Sequence, residues 1–280
     1  MTGFGAAGEE LARARGELAA AGADFGLLSS LANVTYAGGW EVPVALGALA
    51  DLAYAQPLLL VGARDATAVL IVPNAQAGVA EAGFGGDVVA FDTFDSFAPT
   101  DSRASFLAVL GEALGQAGLI GATGILAVEE RTLPRAAATL LEKTLPGWTF
   151  VEAADPLARA RATKTEREIG LLRLAAAIGD VAQTTLSELA ATTGRTEHAM
   201  WGEIAARVFA AAGRDIPLTG ELVTGPRTTT VAYPNGPRNR TTAPGDAALM
   251  DLSSRVDGYW FDVTNTHVVG GVAPTAEQRR

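Results

Sequence analysis

Residues Asp251–His267 read DLSSRVDGYWFDVTNTH, and this stretch decides how the second half of the chain folds. Asp257-Gly258 is a strong short-range hairpin signal, because a two-residue turn of this kind needs positive φ at both positions. With that turn, Val256 pairs with Tyr259, Ser253 with Asp262, and Asp251 with Thr264. Side chains alternate along a strand, so Asp251 and Ser253 share a face, and Asp262 lies opposite Ser253 on the same face. The two carboxylates are then diagonal neighbours, roughly 7–8 Å apart at the backbone. Like charges held there repel unless a proton or a cation lies between them. Oxygen donors on a rigid hairpin suit Mn²⁺ or Mg²⁺, and less exclusively Zn²⁺ or Co²⁺. The plainer alternative is a pair of ordinary strand aspartates on an exposed face, and spacing alone leaves it open.

Upstream of the hairpin, Thr165 and Glu168 have capping-box spacing. Ile169, Leu172, Ala176, Gly179, Ala182, Leu186 and Leu189 then recur at helical spacing, which predicts a long amphipathic helix. A second helix is expected from about Glu197 to a stop at Gly213, with Met200, Ile204 and Val208 on one face. From Glu9 to Glu152 short apolar runs alternate with Ala-rich helical stretches. Strands are expected at Phe25–Leu28, Pro57–Val61, Ala68–Val72, Val88–Phe91, Gly124–Val128 and Trp148–Glu152. Helices are expected at Glu9–Ala21, Ser102–Gln116 and Pro134–Lys143. This alternation predicts an α/β layer architecture. A polar seam at Asp155–Arg161 separates the halves, giving domains 1–157 and 158–280. Gly83-Phe84-Gly85-Gly86 reads as a turn, and neither GxGxxG after a strand nor GxxxxGK[ST] occurs.

Composition narrows the function classes. The 280 residues are 49% hydrophobic and 19% charged, enough for packed cores. With no cysteine, disulfides, thiolate metal sites and cysteine nucleophiles are excluded. A net charge of −10 argues against nucleic acid, since phosphate binding needs a positive footprint. The most apolar window, Val42–Ala63, holds Asp51, Pro43 and Pro57; a mid-span Asp costs about 2.5–3.5 kcal/mol, so no membrane span is expected. The opening MTGFGAAGEELARARG shows no basic start followed by an apolar run, and a cytoplasmic location is the expectation.

The hairpin also carries a resemblance. Gly245-Asp246, an apolar strand, Asp251, Gly258-Tyr259, Asp262, Thr264 and Thr266 together resemble the metal-binding hairpin of the creatinase/methionine aminopeptidase/prolidase superfamily. Arg161-Ala162-Thr163-Lys164-Thr165-Glu166-Arg167-Glu168-Ile169 resembles the R-x-x-K-T-x-x-E-I entry to the catalytic domain of Xaa-Pro peptidases. Asn33-Val34-Thr35-Tyr36-Ala37-Gly38-Gly39 resembles the N-I-R-Y-L-T-G motif of their N-terminal domain, and Thr224-Gly225-Pro226 the stretch before the substrate loop. The resemblance implies a creatinase-like N-terminal domain followed by a pita-bread α+β catalytic domain, partial here, in a homodimer. It implies two divalent metal ions (Mn, Co or Zn), with Asp251 chelating one and Asp262 bridging both. The implied reaction is hydrolysis of the bond between an N-terminal residue and proline in a peptide. Tyr36 and Trp40 would lie in a loop near the partner subunit's site and face substrate, or else be core or rim aromatics; Asp24 could cap a turn.

Departures from the family pattern accompany the likeness. In Tyr233-Pro234-Asn235-Gly236-Pro237 an Asn stands where the family places a substrate-contacting His, and Asn donates hydrogen bonds without carrying a proton. Read without the family, the run is a Pro/Gly turn; read with it, Tyr233 and Asn235 are candidate substrate contacts. Asn265 replaces an Arg that is common there. The family's His and two Glu ligands lie beyond the hairpin; His198 is expected on an exposed helical turn and His267 in a strand. A chain ending at Arg280 is therefore expected to be inactive as it stands and the catalytic domain to be cut short. The alternative from another class is a non-catalytic peptide-binding or dimerisation relative of the same fold.

Overall fold

The computed structural model describes residues 8–44, 48–230 and 235–279. The chain divides into two compact units, Met1–Thr165 and Glu166–Arg280.

The first unit begins with α1 (Gly8–Ala20), β1 (Phe25–Leu28), α2 (Leu31–Gly38), α3 (Ala48–Leu52), β2 (Leu58–Gly62) and β3 (Ala68–Pro73). It continues through α4 (Ala77–Gly83), β4 (Asp87–Phe91), α5 (Ser102–Gln116), β5 (Gly124–Val128), α6 (Arg135–Thr144), β6 (Trp148–Glu152) and α7 (Ala154–Ala162). The strands form one sheet in the order β4-β3-β2-β1-β5-β6. Pairing is antiparallel for β1–β2 and β2–β3 and parallel elsewhere, which makes the sheet mixed. Leu58-Leu59-Leu60-Val61 is fully buried because helices cover both faces: Leu59 and Val61 join one core with Leu18, Val34 and Leu157, while Leu58 and Leu60 join the other with Phe106, Leu110 and Leu141. The α/β reading is borne out, and the six predicted strands match within a residue at each end.

Three local readings differ from the structure. The seam at Asp155–Arg161 is helix α7, whose Leu157 and Ala160 pack into the first core, so residues 158–165 belong to the first unit. Asn33–Gly38 is not a loop but α2: Ser30 accepts from the Asn33 N–H at its start, and Gly39 ends it in the left-handed conformation. The buried Glu129 carboxylate reinforces that start, accepting from the Ser29 and Ser30 N–H groups at 2.6 and 2.9 Å and from the Asn33 amide at 2.6 Å. Asp24 caps no turn; it accepts from the Ile125 N–H at 2.9 Å and from Arg64 at 2.6 Å, tying β1 to β5.

The second unit packs α8 (Glu166–Ala190) and α9 (Glu197–Ala212) against one face of an antiparallel sheet, β7 (Leu218–Thr224), β8 (Ala247–Val256) and β9 (Tyr259–Val268), in the order β7-β8-β9. Ala175, Ile178, Ala182, Leu186, Met200, Ile204 and Val208 bury against Leu222, Met250, Leu252 and Phe261. Gly179 allows close approach, since a Cβ there would meet the Phe261 ring at 3.0 Å. Val42–Ala63 is broken into α3 and β2; by length and composition α8 is the helix, among the described residues, apolar enough to cross a membrane. One face of α8 is committed to the sheet, as in the core helix of a packed unit.

Candidate functional site

The β8–β9 hairpin has the register read from its sequence. Val256 pairs with Tyr259, Ser253 with Asp262, and Asp251 with Thr264; Asp257 and Gly258 turn the chain at φ 49° and 86°. Leu252, Phe261 and Val263 face the helices, so Asp251, Ser253, Asp262 and Thr264 lie on the opposite face. Each carboxylate accepts one cross-strand hydroxyl: Asp251 from Thr264 at 2.8 Å and Asp262 from Ser253 at 2.7 Å. These bonds hold one oxygen of each carboxylate and leave the other without a hydrogen-bond partner among the described residues.

A third acidic residue joins this row. Glu221 on β7 stands directly opposite Asp251 and on the same face, and its Oε1 accepts the Asn235 N–H at 3.1 Å. The loop carrying Asn235 is thereby tied to the strand next to Asp251. Gly220 allows β7 to run so close: at φ 146°, a Cβ there would sit 2.1 Å from the Asp251 carbonyl oxygen.

The same loop is gripped from the other side by a buried polar network. Glu197, fully buried at the start of α9, accepts from the Thr224 N–H at 2.7 Å, the Thr224 hydroxyl at 2.8 Å and the Arg238 N–H at 2.9 Å. It also pairs with the Arg227 guanidinium. The other arm of Arg227 donates to the Asn235 side-chain oxygen at 2.7 Å and to the Gly236 carbonyl at 2.8 Å. Arg240 donates to Thr224 at 2.6 Å and meets Asp246 through two bonds, at 2.7 and 3.0 Å. Burial pushes the Asp246 carboxyl up, but the Arg240 bonds, the Ala243 N–H and the Arg240 charge together hold it below its ordinary range. The same contact holds Arg240 above its ordinary value.

The sequence-predicted residues fall into three groups. Asp251, Asp262 and Asn235 belong to the second unit and frame the carboxylate face and its loop. Tyr233 lies outside the described residues. Of the two readings given for Tyr36 and Trp40, the structure has the core one: both are 3% exposed in the first core, the Tyr36 hydroxyl donates to the Ala160 carbonyl at 2.8 Å and Trp40 packs at Gly83. His198 is exposed on the first turn of α9, and His267 is a half-buried strand residue opposite Ala248. Sequence reasoning missed Glu197, Glu221, Arg227 and Arg240. Glu197 entered the sequence reading only as the start of the second helix, and nothing local showed that it would be buried.

The donor chemistry of Asp251 and Asp262 suits a hard or borderline divalent cation. Among the described residues, no group of three or more His, Cys, Asp or Glu gathers so as to hold a metal ion. The hairpin thus supplies two donors of a coordination sphere and not the whole of it.

Comparison with known proteins gives the same division of the chain. The Creatinase/Prolidase N-terminal domain description matches residues 10–163, and Metallopeptidase family M24 matches residues 170–280. A Bacillus subtilis (strain 168) protein named "Putative dipeptidase YkvY" is 27% identical over 154 residues, covering 55% of this chain and 41% of that protein. A prolidase structure from Pyrococcus horikoshii OT3 superposes with TM-score 0.67 at 22% identity, covering 97% of this chain and 67% of the other. Dipeptidase PepE from Mycobacterium ulcerans gives TM-score 0.68 at 21% identity, covering 98% and 67%. An X-Pro aminopeptidase from Thermotoga maritima MSB8 gives 0.69 at 18%, covering 93% and 64%. At these identities the superpositions establish the fold. The chain spans about two fifths of the curated relative's length and about two thirds of each structure.

Proposed function

Because the chain belongs to the family that joins a Creatinase/Prolidase N-terminal domain to an M24 metallopeptidase domain, we infer that it is a di-metal peptidase of the Xaa-Pro aminopeptidase or dipeptidase type. Its reaction is hydrolysis of the bond between an N-terminal residue and a following proline. The observation that carries this reading is the Asp251/Asp262 pair within the M24 segment: two carboxylates on one sheet face, each steadied by one hydroxyl and each with a second oxygen unengaged among the described residues.

Asp251 and Asp262 would hold divalent ions, of which manganese, cobalt and zinc are the candidates. Such ions, when bound, supply Lewis acidity that stabilises charge developing on the scissile carbonyl. The chain's own residues bind and orient. Thr264 and Ser253 fix the two carboxylates, Glu221 anchors the Asn235 backbone, and Asn235 offers an amide donor to a carbonyl oxygen of the peptide. The protein acts as a cytoplasmic homodimer with neither nucleic acid nor membrane as partner. The test is Mn²⁺ titration of the protein and of Asp251→Asn and Asp262→Asn variants. Saturable binding lost in both variants supports the assignment; binding unchanged by either substitution contradicts it.

A second reading, a non-catalytic peptide-binding or dimerisation relative, is favoured by the lack of a three-residue ligand group among the described residues. It predicts stoichiometric binding of an Xaa-Pro peptide without turnover.

A further inference from the structure

Arg227 bonds to three groups of the second unit, and its two arms do different things. One meets the buried Glu197 carboxylate; the other donates to the Asn235 Oδ1 at 2.7 Å and the Gly236 carbonyl at 2.8 Å. The Arg227 side chain is 15% exposed, that of Glu197 0%, and Asn235 is 8% exposed as a residue, so these bonds are largely shielded from water.

An Asn side chain has an acceptor end and a donor end, and turning it by half a revolution exchanges them. A guanidinium donates only, so a fixed Arg227 accepts nothing from Asn235 and admits just one amide orientation. With Oδ1 held by Arg227 and the backbone N–H held by Glu221, Nδ2 is the part of Asn235 with no acceptor among the described residues. The neighbouring Thr224 hydroxyl extends the grip, donating to Glu197 and accepting from Arg240, which is itself clamped by Asp246. From Asp246 to Asn235 the hydrogen-bonded path is unbroken.

We propose that Arg227 is a positioning residue: braced by Glu197, it locks the Asn235 amide with its N–H₂ group presented to an oxygen acceptor of the peptide. This rests on the reading of Asn235 as a substrate contact. It assigns discrimination for a carbonyl or carboxylate oxygen to an arginine that does not itself touch the peptide.

The test uses the full chain, Asn-selective ¹⁵N labelling, and the tripeptide Ala-Pro-Ala as probe. In the wild type, the Asn235 side-chain amide resonances are expected to be sharp and to shift on peptide addition. Arg227→Met should weaken peptide binding about tenfold, the scale of one well-placed hydrogen bond. Asn235→Ala should do the same, and the double variant no more than either, because the two residues act through one contact. Arg227→Lys, which keeps the charge but loses the fork, serves if the Met variant does not fold, and should show the same non-additivity with a broadened amide signal. Additive losses, or full affinity in either Arg227 variant, overturn the proposal. Failure of the wild type to bind any Xaa-Pro peptide sinks the functional reading. If the amide is nonetheless ordered by Arg227 in that case, Arg227 is a structural strut and the positioning role is overturned as well.

Discussion

Arg240 and Asp246 form a two-pronged ion pair, Nη1 to Oδ2 at 2.7 Å and Nη2 to Oδ1 at 3.0 Å, closed over Gly225. Gly225 has φ 56°, and a Cβ there would come within 2.3 Å of the guanidinium and 2.5 Å of the carboxylate. The glycine, the arginine and the aspartate are therefore one device that closes the loop between β7 and β8.

That device has a pH signature. The Asp246 carboxyl lies below its ordinary value near 3.8, so the unfolded chain takes up its proton before the folded one does. Its stabilising contribution is present above that ordinary value and disappears as pH falls through the lower folded value. Asp246→Asn is expected to be less stable than wild type at neutral pH, and the gap should narrow below about pH 4. Denaturant midpoints of both proteins from pH 7 to pH 2 check this.

Glu197 is fully buried and accepts from two backbone N–H groups, a hydroxyl and a guanidinium. Removing it leaves Arg227 unpaired in a largely buried place. Glu197→Ala is expected to cost about 3–5 kcal/mol, the range for breaking one side of a buried pair. Urea unfolding measures it, and a cost below about 1 kcal/mol would show that water replaces the carboxylate freely.

Gly220 separates two kinds of glycine. Both it and Gly22 have positive φ, at 146° and 85°, but a Cβ at Gly22 meets open space while one at Gly220 strikes the Asp251 carbonyl oxygen at 2.1 Å. Gly22→Ala should cost about 1 kcal/mol from backbone strain alone. Gly220→Ala should cost at least about 2 kcal/mol more and move the strand that carries Asp251. Thermal unfolding of the two variants separates strain from collision.

The hairpin was legible because its information is local: an Asp-Gly turn and period-2 alternation set the register, and the register sets which side chains share a face. The six strands of the first unit were legible for a similar reason, since buried runs such as Leu58–Val61 need no distant partner to be recognised. Helix α7 was obscured by its arginines, whose exposed face hides the buried Leu157 and Ala160. The loop placement of Tyr36 and Trp40 came from the family resemblance alone; the residues themselves also allowed core aromatics, and Gly39 is the stop of a buried helix. The Glu197–Arg227–Asn235 path was not legible, because its members lie up to 38 positions apart and each has an ordinary exposed-residue appearance in sequence. Its partners are chosen by the return of the loop onto α9, a tertiary event.

The most direct test of the account is hydrolysis of an Xaa-Pro peptide by a protein whose M24 domain carries the remaining His and Glu ligands as well as Asp251 and Asp262, supplied with Mn²⁺ and followed as release of the N-terminal residue. The account predicts cleavage confined to the bond before proline, dependent on added metal and abolished in Asp262→Asn. A folded, Mn²⁺-saturated protein that binds Xaa-Pro peptides and cleaves none, or cleavage that survives Asp262→Asn unchanged, would contradict it.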